Sequence, residues 1–220
     1  MWKITTSSED LGIGQFGGSV RMNDPALWPV IPDTQIPLTP LCTLTEALLP
    51  VRFLPPGMAM TVFIAPNRKA NGFNLSTMRR YTVHQQSELQ AARESGYSRV
   101  LLHGLTDQEL SPPESAFILD RTFIRKEEFT EEEEDADLED DDFGLEISKL
   151  SGRPAFLQDP IYEPSFRYTW LLQLNSFELE GIGPRYEGIF ENGLGHLILD
   201  KQARKAQQGA EAGYFFIQFT

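Results

Sequence analysis

Apolar residues along this chain gather in short runs, and each run is bounded by Gly, Pro or polar residues. Met58–Ile64, Arg79–Val83, Arg99–His103, Thr169–Leu174, Gly195–Leu199 and Gly213–Phe219 each have the length and β-branched or aromatic content of a strand. Phe117–Ile124 alternates in part and predicts a further strand. In the last run Tyr214, Phe216 and Gln218 fall on one face, with Phe215, Ile217 and Phe219 on the other. Helical signals are few. Ser87 caps a segment through Leu89, Ala91, Ala92 and Arg93 that stops at Gly96. Thr43 and Glu46 have capping-box spacing, with room for a turn or two before Pro50, and Lys201–Gln208 reads as a short polar helix or turn. Residues 12–50, punctuated by Gly17, Gly18, Pro25, Pro29, Pro32, Pro37 and Pro40, otherwise leave no space for a helix. Strands and helices do not alternate with a βαβ rhythm. The pattern predicts mostly antiparallel strands with a few short helices.

Composition supports a packed core. The chain has 220 residues, 40% hydrophobic and 11% aromatic, which fits one large domain over 1–220 or two small ones. Cys42 is the sole cysteine, so no intrachain disulfide can form. The first ten residues carry no apolar segment, and no run approaches the roughly eighteen apolar residues of a membrane span. The expectation is a cytoplasmic protein.

Charge changes this picture at one place. Between Glu127 and Asp142 lie twelve acidic residues and no basic one: Glu127, Glu128, Glu131, Glu132, Glu133, Glu134, Asp135, Asp137, Glu139, Asp140, Asp141 and Asp142. Thirty-two acids less these twelve leaves twenty against nineteen bases, so the net charge of -13 belongs almost wholly to this segment. With no counter-charge nearby, the segment is expected to be an extended, solvated, flexible acidic insertion at about 127–142. It either keeps the protein in solution or steers a cationic partner. Phe129 and Leu138 are its two large apolar residues and candidate anchors for that partner, and Phe143–Ile147 follows as a hydrophobic foot. A calcium loop needs a Gly at the bend, and Asp135–Asp142 has none. Direct nucleic-acid binding is disfavoured because phosphate contacts need clustered Lys and Arg.

A weak internal echo runs through the chain. Gly17-Gly18, an apolar stretch at Ile36–Leu41, a short acidic helix, then Pro56-Gly57 and the strand to Phe63 are answered in the second half. There Gly152-Arg153-Pro154, Trp170–Leu174, Phe177–Glu180, a Gly-rich turn and the strands through Leu199 and Phe216 follow in the same order. The echo implies two pseudo-duplicated halves, residues 1 to about 110 and about 144 to 220, sharing one core.

Lys149-Leu150-Ser151-Gly152-Arg153-Pro154, Phe156-Leu157-Gln158, Leu171-Leu172-Gln173-Leu174 and Gly213-Tyr214-Phe215-Phe216-Ile217 resemble the YwqG-like family of bacterial cytosolic domains. Gly17-Gly18, Trp28-Pro29, Pro56-Gly57 and Met60–Phe63 fit that family's first half. Ser151 stands where the family has the first Gly of its turn, and Cys42 and Thr43 lie where a Gln is expected. The resemblance implies an α+β fold of mostly antiparallel strands in pseudo-duplicated halves. It brings no catalytic signature, and it implies a place beside secreted toxins.

Other chemistry is sparse. His84, His103 and His196 are far apart in sequence, without the short spacing of a zinc site, and His103 and His196 lie inside apolar runs where core histidines are expected. No Gly-x-Ser-x-Gly elbow nominates a serine nucleophile. Gly12-Ile13-Gly14-Gln15-Phe16-Gly17 imitates part of a dinucleotide loop without a strand before it or a helix after it. No catalytic residue, cofactor or metal site is therefore nominated. Gln158 and Gln173 are polar residues out of place; they either tether neighbouring backbone such as the Gly152–Pro154 turn or line a cleft between the halves. Two functions follow. One is a non-enzymatic immunity protein that blocks a cognate toxin or effector with a cationic surface, its contacts being Glu131–Glu134, Asp135, Asp137, Glu139, Asp140, Asp141, Asp142, Phe129 and Leu138. The other is a small-ligand protein or enzyme with a cleft at Gln158 and Gln173.

Overall fold

Ten antiparallel strands close into a barrel in the computed structural model, which describes residues 1–66, 68–69, 72–73, 75–110, 112–114, 116–139 and 143–220. In chain order the strands are β1 (Trp2–Ser7), β2 (Gly14–Phe16), β3 (Val20–Met22), β4 (Thr39–Thr45), β5 (Met58–Ile64), β6 (Arg68–Lys69), β7 (Gly72–Phe73), β8 (Ser98–Leu110), β9 (Thr122–Glu128), β10 (Lys149–Leu150), β11 (Tyr168–Asn175), β12 (Leu194–Asp200) and β13 (Glu211–Gln218). The helices are α1 (Leu75–Met78), α2 (Leu89–Glu94), α3 (Glu131–Glu139) and α4 (Ser176–Glu180). Around the ring the order is β13-β12-β11-β10-β1-β9-β2-β4-β5-β8, and β8 returns to β13 through Leu101 opposite Glu211 and Val100 opposite Gly213. Closure pairs β13 with β8, the two strands that would be the outer edges of an open sheet. β3 adds to β8 outside the ring, and β6 with β7 forms a separate hairpin.

Cross-strand rows explain the core. Leu172, Leu197 and Phe215 sit opposite one another, as do Cys42, Val62 and Val100, and Leu44, Met60 and Leu102. All belong to one buried apolar cluster that fills the barrel. The Cys42 thiol lies fully inside it, and burial pushes its pKa up to about 12. The alternate residues of β11–β13 face outward, where Ile198, Tyr214 and Phe216 are sealed by Leu89 and Ala92 of α2, Val83 and Ile161. These strands are thus buried on both faces, which is why their sequences read as continuous apolar runs rather than strict alternation.

Several sequence expectations change here. Arg79–Val83 is not a strand: Arg79–Tyr81 form a 3-10 turn after α1, and Thr82 makes an isolated parallel bridge to Ile217. Of Phe117–Ile124 only Thr122–Ile124 lies in a strand, and β9 continues into the acidic run. Thr43 is a strand residue; the cap before Glu46–Leu48 is Thr45, whose hydroxyl accepts from the Ala47 amide at 3.2 Å. Residues 12–17 follow strand β1 and contain β2 itself. Trp170 is half-buried on the outer face beside a register shift, packed against the outer apolar cluster. Among the described residues no helix is long and apolar enough to cross a membrane.

Candidate functional site

The acidic run does not form an extended loop in its described part. Glu127 and Glu128 end β9, Phe129 is buried, and Glu131–Glu139 form α3. Local chemistry favours this helix. Glu is a good helix former, and acids in the first turn meet the positive end of the helix dipole. Thr130 and Glu133 form a reciprocal capping box: the Thr130 hydroxyl accepts from the Glu133 amide at 3.2 Å, and the Glu133 carboxylate accepts from the Thr130 amide at 2.9 Å. Asp135 and its like-charged neighbours one turn away at Glu131 and Glu139 oppose it. Contacts to the barrel must therefore hold the helix down.

Besides the Met1 ammonium, 3.3 Å from Glu134, and the Arg153 guanidinium, 3.3 Å from the Leu138 carbonyl, two ion pairs made by strand lysines do this. Lys3 of β1 donates to Glu133 at 2.7 Å, which raises the lysine pKa and lowers that of the glutamate. The second is deeper. Asp137 and Lys149 of β10 are both fully buried and joined as an ion pair. The Asp137 carboxylate also accepts from the amides of Leu145 at 2.8 Å and Arg153 at 2.9 Å. Two glycines make room for it. A Cβ on Gly144 would lie 2.7 Å from Asp137 Oδ1, and one on Gly152, at φ +92°, would lie 2.8 Å from Oδ2. Burial pulls the Lys149 pKa down, while its hydrogen bond and charge pairing with Asp137 push it up. The premise that no counter-charge is near fails because the counter-charge comes from a strand, not from the segment.

The pairing sorts the run. Asp137 is a structural residue and Glu133 is tied to Lys3. Phe129, at 8% exposed, packs inward and is not free to anchor a partner. Glu127 is half-buried with its carboxylate 3.2 Å from Arg125, and Glu134 is half-buried. Glu131, Glu132, Asp135 and Glu139 face solvent with Leu138, which is 61% exposed. Asp140, Asp141 and Asp142 lie outside the described residues. Helical periodicity accounts for the division, since Glu133, Glu134 and Asp137 share one face.

From Lys149 a buried polar row crosses the outer face of the barrel: Lys149 lies opposite Gln173, Gln173 opposite His196, and His196 opposite Phe216. Gln173 is completely buried; its carbonyl accepts from the Ala155 amide at 2.8 Å, and its amide donates to the carbonyls of Leu145 and Ile147, both at 2.9 Å. Gln158 is instead exposed. The two do not line a common cleft, because Gln173 is sealed beneath the segment it ties down. The residue that acts like Gln173 is Gln218, which accepts from the amides of Leu157 at 3.0 Å and Gln158 at 3.4 Å, and donates to the Asp159 carbonyl at 3.0 Å. His196 stacks between Phe156 and Phe216, at centroid distances of 5.3 and 5.0 Å. Burial, assisted by the Lys149 charge, drives its pKa down to about 3, so the ring is neutral. His103 is held by the Thr61 hydroxyl at 2.8 Å, and its pKa is also lowered by burial. Among the described residues no group of three or more His, Cys, Asp or Glu is placed to hold a metal ion.

Beside α3 the barrel wall is incomplete. β1 pairs with β10 only at Trp2–Leu150 and Lys3–Lys149, followed by one bond from the Ile4 amide to the Ser148 carbonyl at 2.9 Å. The chain then leaves β1: the Ser148 amide donates to Glu178 at 2.8 Å, and Gln173 takes the next carbonyls. The gap is a cavity of about 400 Å³ whose apolar lining includes Ile4, Phe16, Ile147, Leu179 and Ile182, with Lys3, Glu133 and Glu178 also bordering it. Nothing in the sequence marks this cavity, because it arises where a two-residue strand ends. No protein-family model matches the chain, and no curated protein does either.

Proposed function

We propose that the protein binds and neutralises a cationic protein partner through the solvent face of α3, as an immunity protein does with a toxin whose nucleic-acid-cutting domain is basic. One observation carries this reading. Glu131, Glu132, Asp135 and Glu139 are displayed on a helix that Asp137 and Glu133 fasten to the barrel. A like-charged face held in fixed geometry accelerates encounter with a cationic surface, and it loses less conformational entropy on binding than a coil would. A cytoplasmic location and a non-enzymatic role belong to the same proposal.

The scaffold is proposed to consist of two pseudo-duplicated halves. β2-β4-β5-β8 and β10-β11-β12-β13 are each four successive neighbours in the ring, separated on one side by β1 and β9 and joined directly on the other. In both halves a strand runs into a capped single turn: Thr45 caps Glu46–Leu48, and Asn175 caps α4 by accepting from the Phe177 amide at 2.8 Å. Kinship with the YwqG-like family is a proposal on the same footing; its Lys149–Pro154 stretch is the strand and turn that enclose Asp137.

The test is affinity capture from the native strain with the wild-type chain and with the Glu131→Gln/Glu132→Gln/Asp135→Asn/Glu139→Gln variant. The wild type should retain a basic protein that the variant loses, and that protein's toxicity should be relieved by co-expression of the wild type alone. Equal recovery and equal protection by the two chains would overturn the proposal.

A further inference from the structure

We propose that β1 is a docking edge: an extended segment of the cationic partner adds as a strand along Thr5–Thr6 and seats an apolar side chain, flanked by Lys or Arg, in the cavity beside α3. The inference rests on the partner reading above and specifies how that partner is held.

Hydrogen-bond alternation identifies the open edge. The Phe129 amide donates to the Met1 carbonyl at 3.2 Å, so Met1, Lys3, Thr5 and Ser7 turn their backbone groups toward β9. The Ile4 amide donates to Ser148 on the opposite side, and two residues on Thr6 points the same way. The chain that would continue that ladder has been diverted. The Leu145 amide goes to Asp137 and the Ser148 amide to Glu178; the carbonyls of Leu145 and Ile147 go to Gln173, and that of Glu146 to Asn175. Thr6 is exposed and keeps an amide and a carbonyl aimed into the gap. An added strand satisfies such groups with main-chain bonds, and pockets along the edge then select alternate side chains.

Chemistry around the edge selects the occupant. The cavity has Ile4, Phe16, Ile147, Leu179 and Ile182 in its lining, and its volume of about 400 Å³ falls at the small end of ligand sites, which run from about 300 to 1,000 Å³. Lys3, Glu133 and Glu178 also line it; Lys3 offsets Glu133, which leaves Glu178 in excess, and the exposed carboxylates of α3 lie on the helix that supplies Glu133. An apolar side chain with basic neighbours on the same strand complements both features. Leu138 on α3 and Phe177 on α4, exposed by 61% and 63%, offer further apolar surface on the elements that flank the gap.

The probe is an acetylated, amidated Lys-Lys-Val-Leu-Val-Lys-Lys peptide, titrated into the full chain and followed by backbone amide NMR. Shifts should centre on Thr5, Thr6 and Ile147, and the Thr6 amide should become protected from exchange. Thr6→Pro removes the outward N–H while leaving the β9 ladder intact, as proline on an open edge does. It should weaken peptide binding about 10-fold, the loss expected for a ladder bond and its misaligned neighbour. If Thr6→Pro does not fold, N-methylation of the peptide's Leu tests the same ladder on the unaltered protein. Equal affinity for the methylated peptide, or shifts confined to α3 with Thr6 unmoved, would overturn strand addition while leaving the acidic-face proposal standing. Conversely, Thr6-centred binding that the four-carboxylate variant retains undiminished at low salt would remove the acidic face and keep the edge. A peptide-free dimer that Thr6→Pro converts to monomer would assign the edge to a second copy of this chain and overturn the proposal.

Discussion

Replacing Asp137 by Ala should be among the most damaging single changes in this protein. The substitution leaves the Lys149 ammonium buried without a counter-charge and strips the Leu145 and Arg153 amides of their acceptor. Breaking a buried ion pair from one side costs about 3–5 kcal/mol, and each orphaned buried amide about 1–3 kcal/mol more, though terms sharing one carboxylate do not add fully. A loss of at least about 4 kcal/mol is expected, a large fraction of the roughly 5–15 kcal/mol that holds an ordinary domain folded. The pH dependence identifies the cause. Burial already holds the folded-state pKa of Lys149 below its unfolded value of 10.5. Without Asp137 the two influences that raise it vanish, and the folded pKa falls further. A lysine with a depressed folded pKa carries its full penalty below that pKa, and the penalty shrinks as pH climbs through it toward 10.5. The deficit of Asp137→Ala against wild type should therefore narrow between pH 7 and pH 10. Urea unfolding followed by circular dichroism at both pH values measures this. A deficit under about 1 kcal/mol at pH 7, or one independent of pH, would refute a charged, desolvated pair. The double variant Asp137→Leu/Lys149→Met should recover most of the loss, since apolar replacement of a whole buried pair is often neutral or stabilising.

Three further outcomes follow from the same geometry. His196 has a folded pKa near 3 against about 6.5 when unfolded, so it stabilises the fold fully above pH 6.5 and loses that contribution as pH falls toward 3, roughly 4–5 kcal/mol in all; His196→Phe keeps the stack with Phe156 and Phe216, and its melting temperature should fall less steeply over that window. Thr130→Ala should cost about 1 kcal/mol through the lost cap, read in urea melts, and a change indistinguishable from zero would mean that barrel contacts alone hold α3. Gln218→Ala should cost about 1–3 kcal/mol, because it orphans amides of the 157–158 segment, whereas the same change at exposed Gln158 should stay within about 0.5 kcal/mol.

Particular residues show what the sequence could disclose. Met58–Ile64 matches β5, and the runs at Gly195–Leu199 and Gly213–Phe219 lie over β12 and β13, because those strands are apolar on both faces. β1 and β2 are short and half-polar, with no run to mark them, and barrel closure depends on register between residues such as Leu101 and Glu211 that local pattern does not encode. Arg79–Val83 has strand-like residues, yet the preceding turn of α1 carries them into a 3-10 conformation. The acidic run was half legible. Thr130-Glu131-Glu132-Glu133 is a capping box visible in sequence, and it forecasts a helix where charge density suggested coil. The counter-ion was not legible, since Lys149 becomes the partner of Asp137 only when β10 takes its place beside β1. Gln173 stood out as misplaced; Gln218, its functional twin, did not, because it ends an aromatic strand and reads as a surface position.

The association rate of the captured partner measures the acidic-face account most directly. The screening length falls from about 30 Å at 0.01 M salt to about 10 Å at 0.1 M. Wild-type association should slow by about 10-fold or more over that range, while the Glu131→Gln/Glu132→Gln/Asp135→Asn/Glu139→Gln variant, slow at low salt, should change little; dissociation should be similar for both. Association rates of the two chains that coincide across the whole range would contradict it.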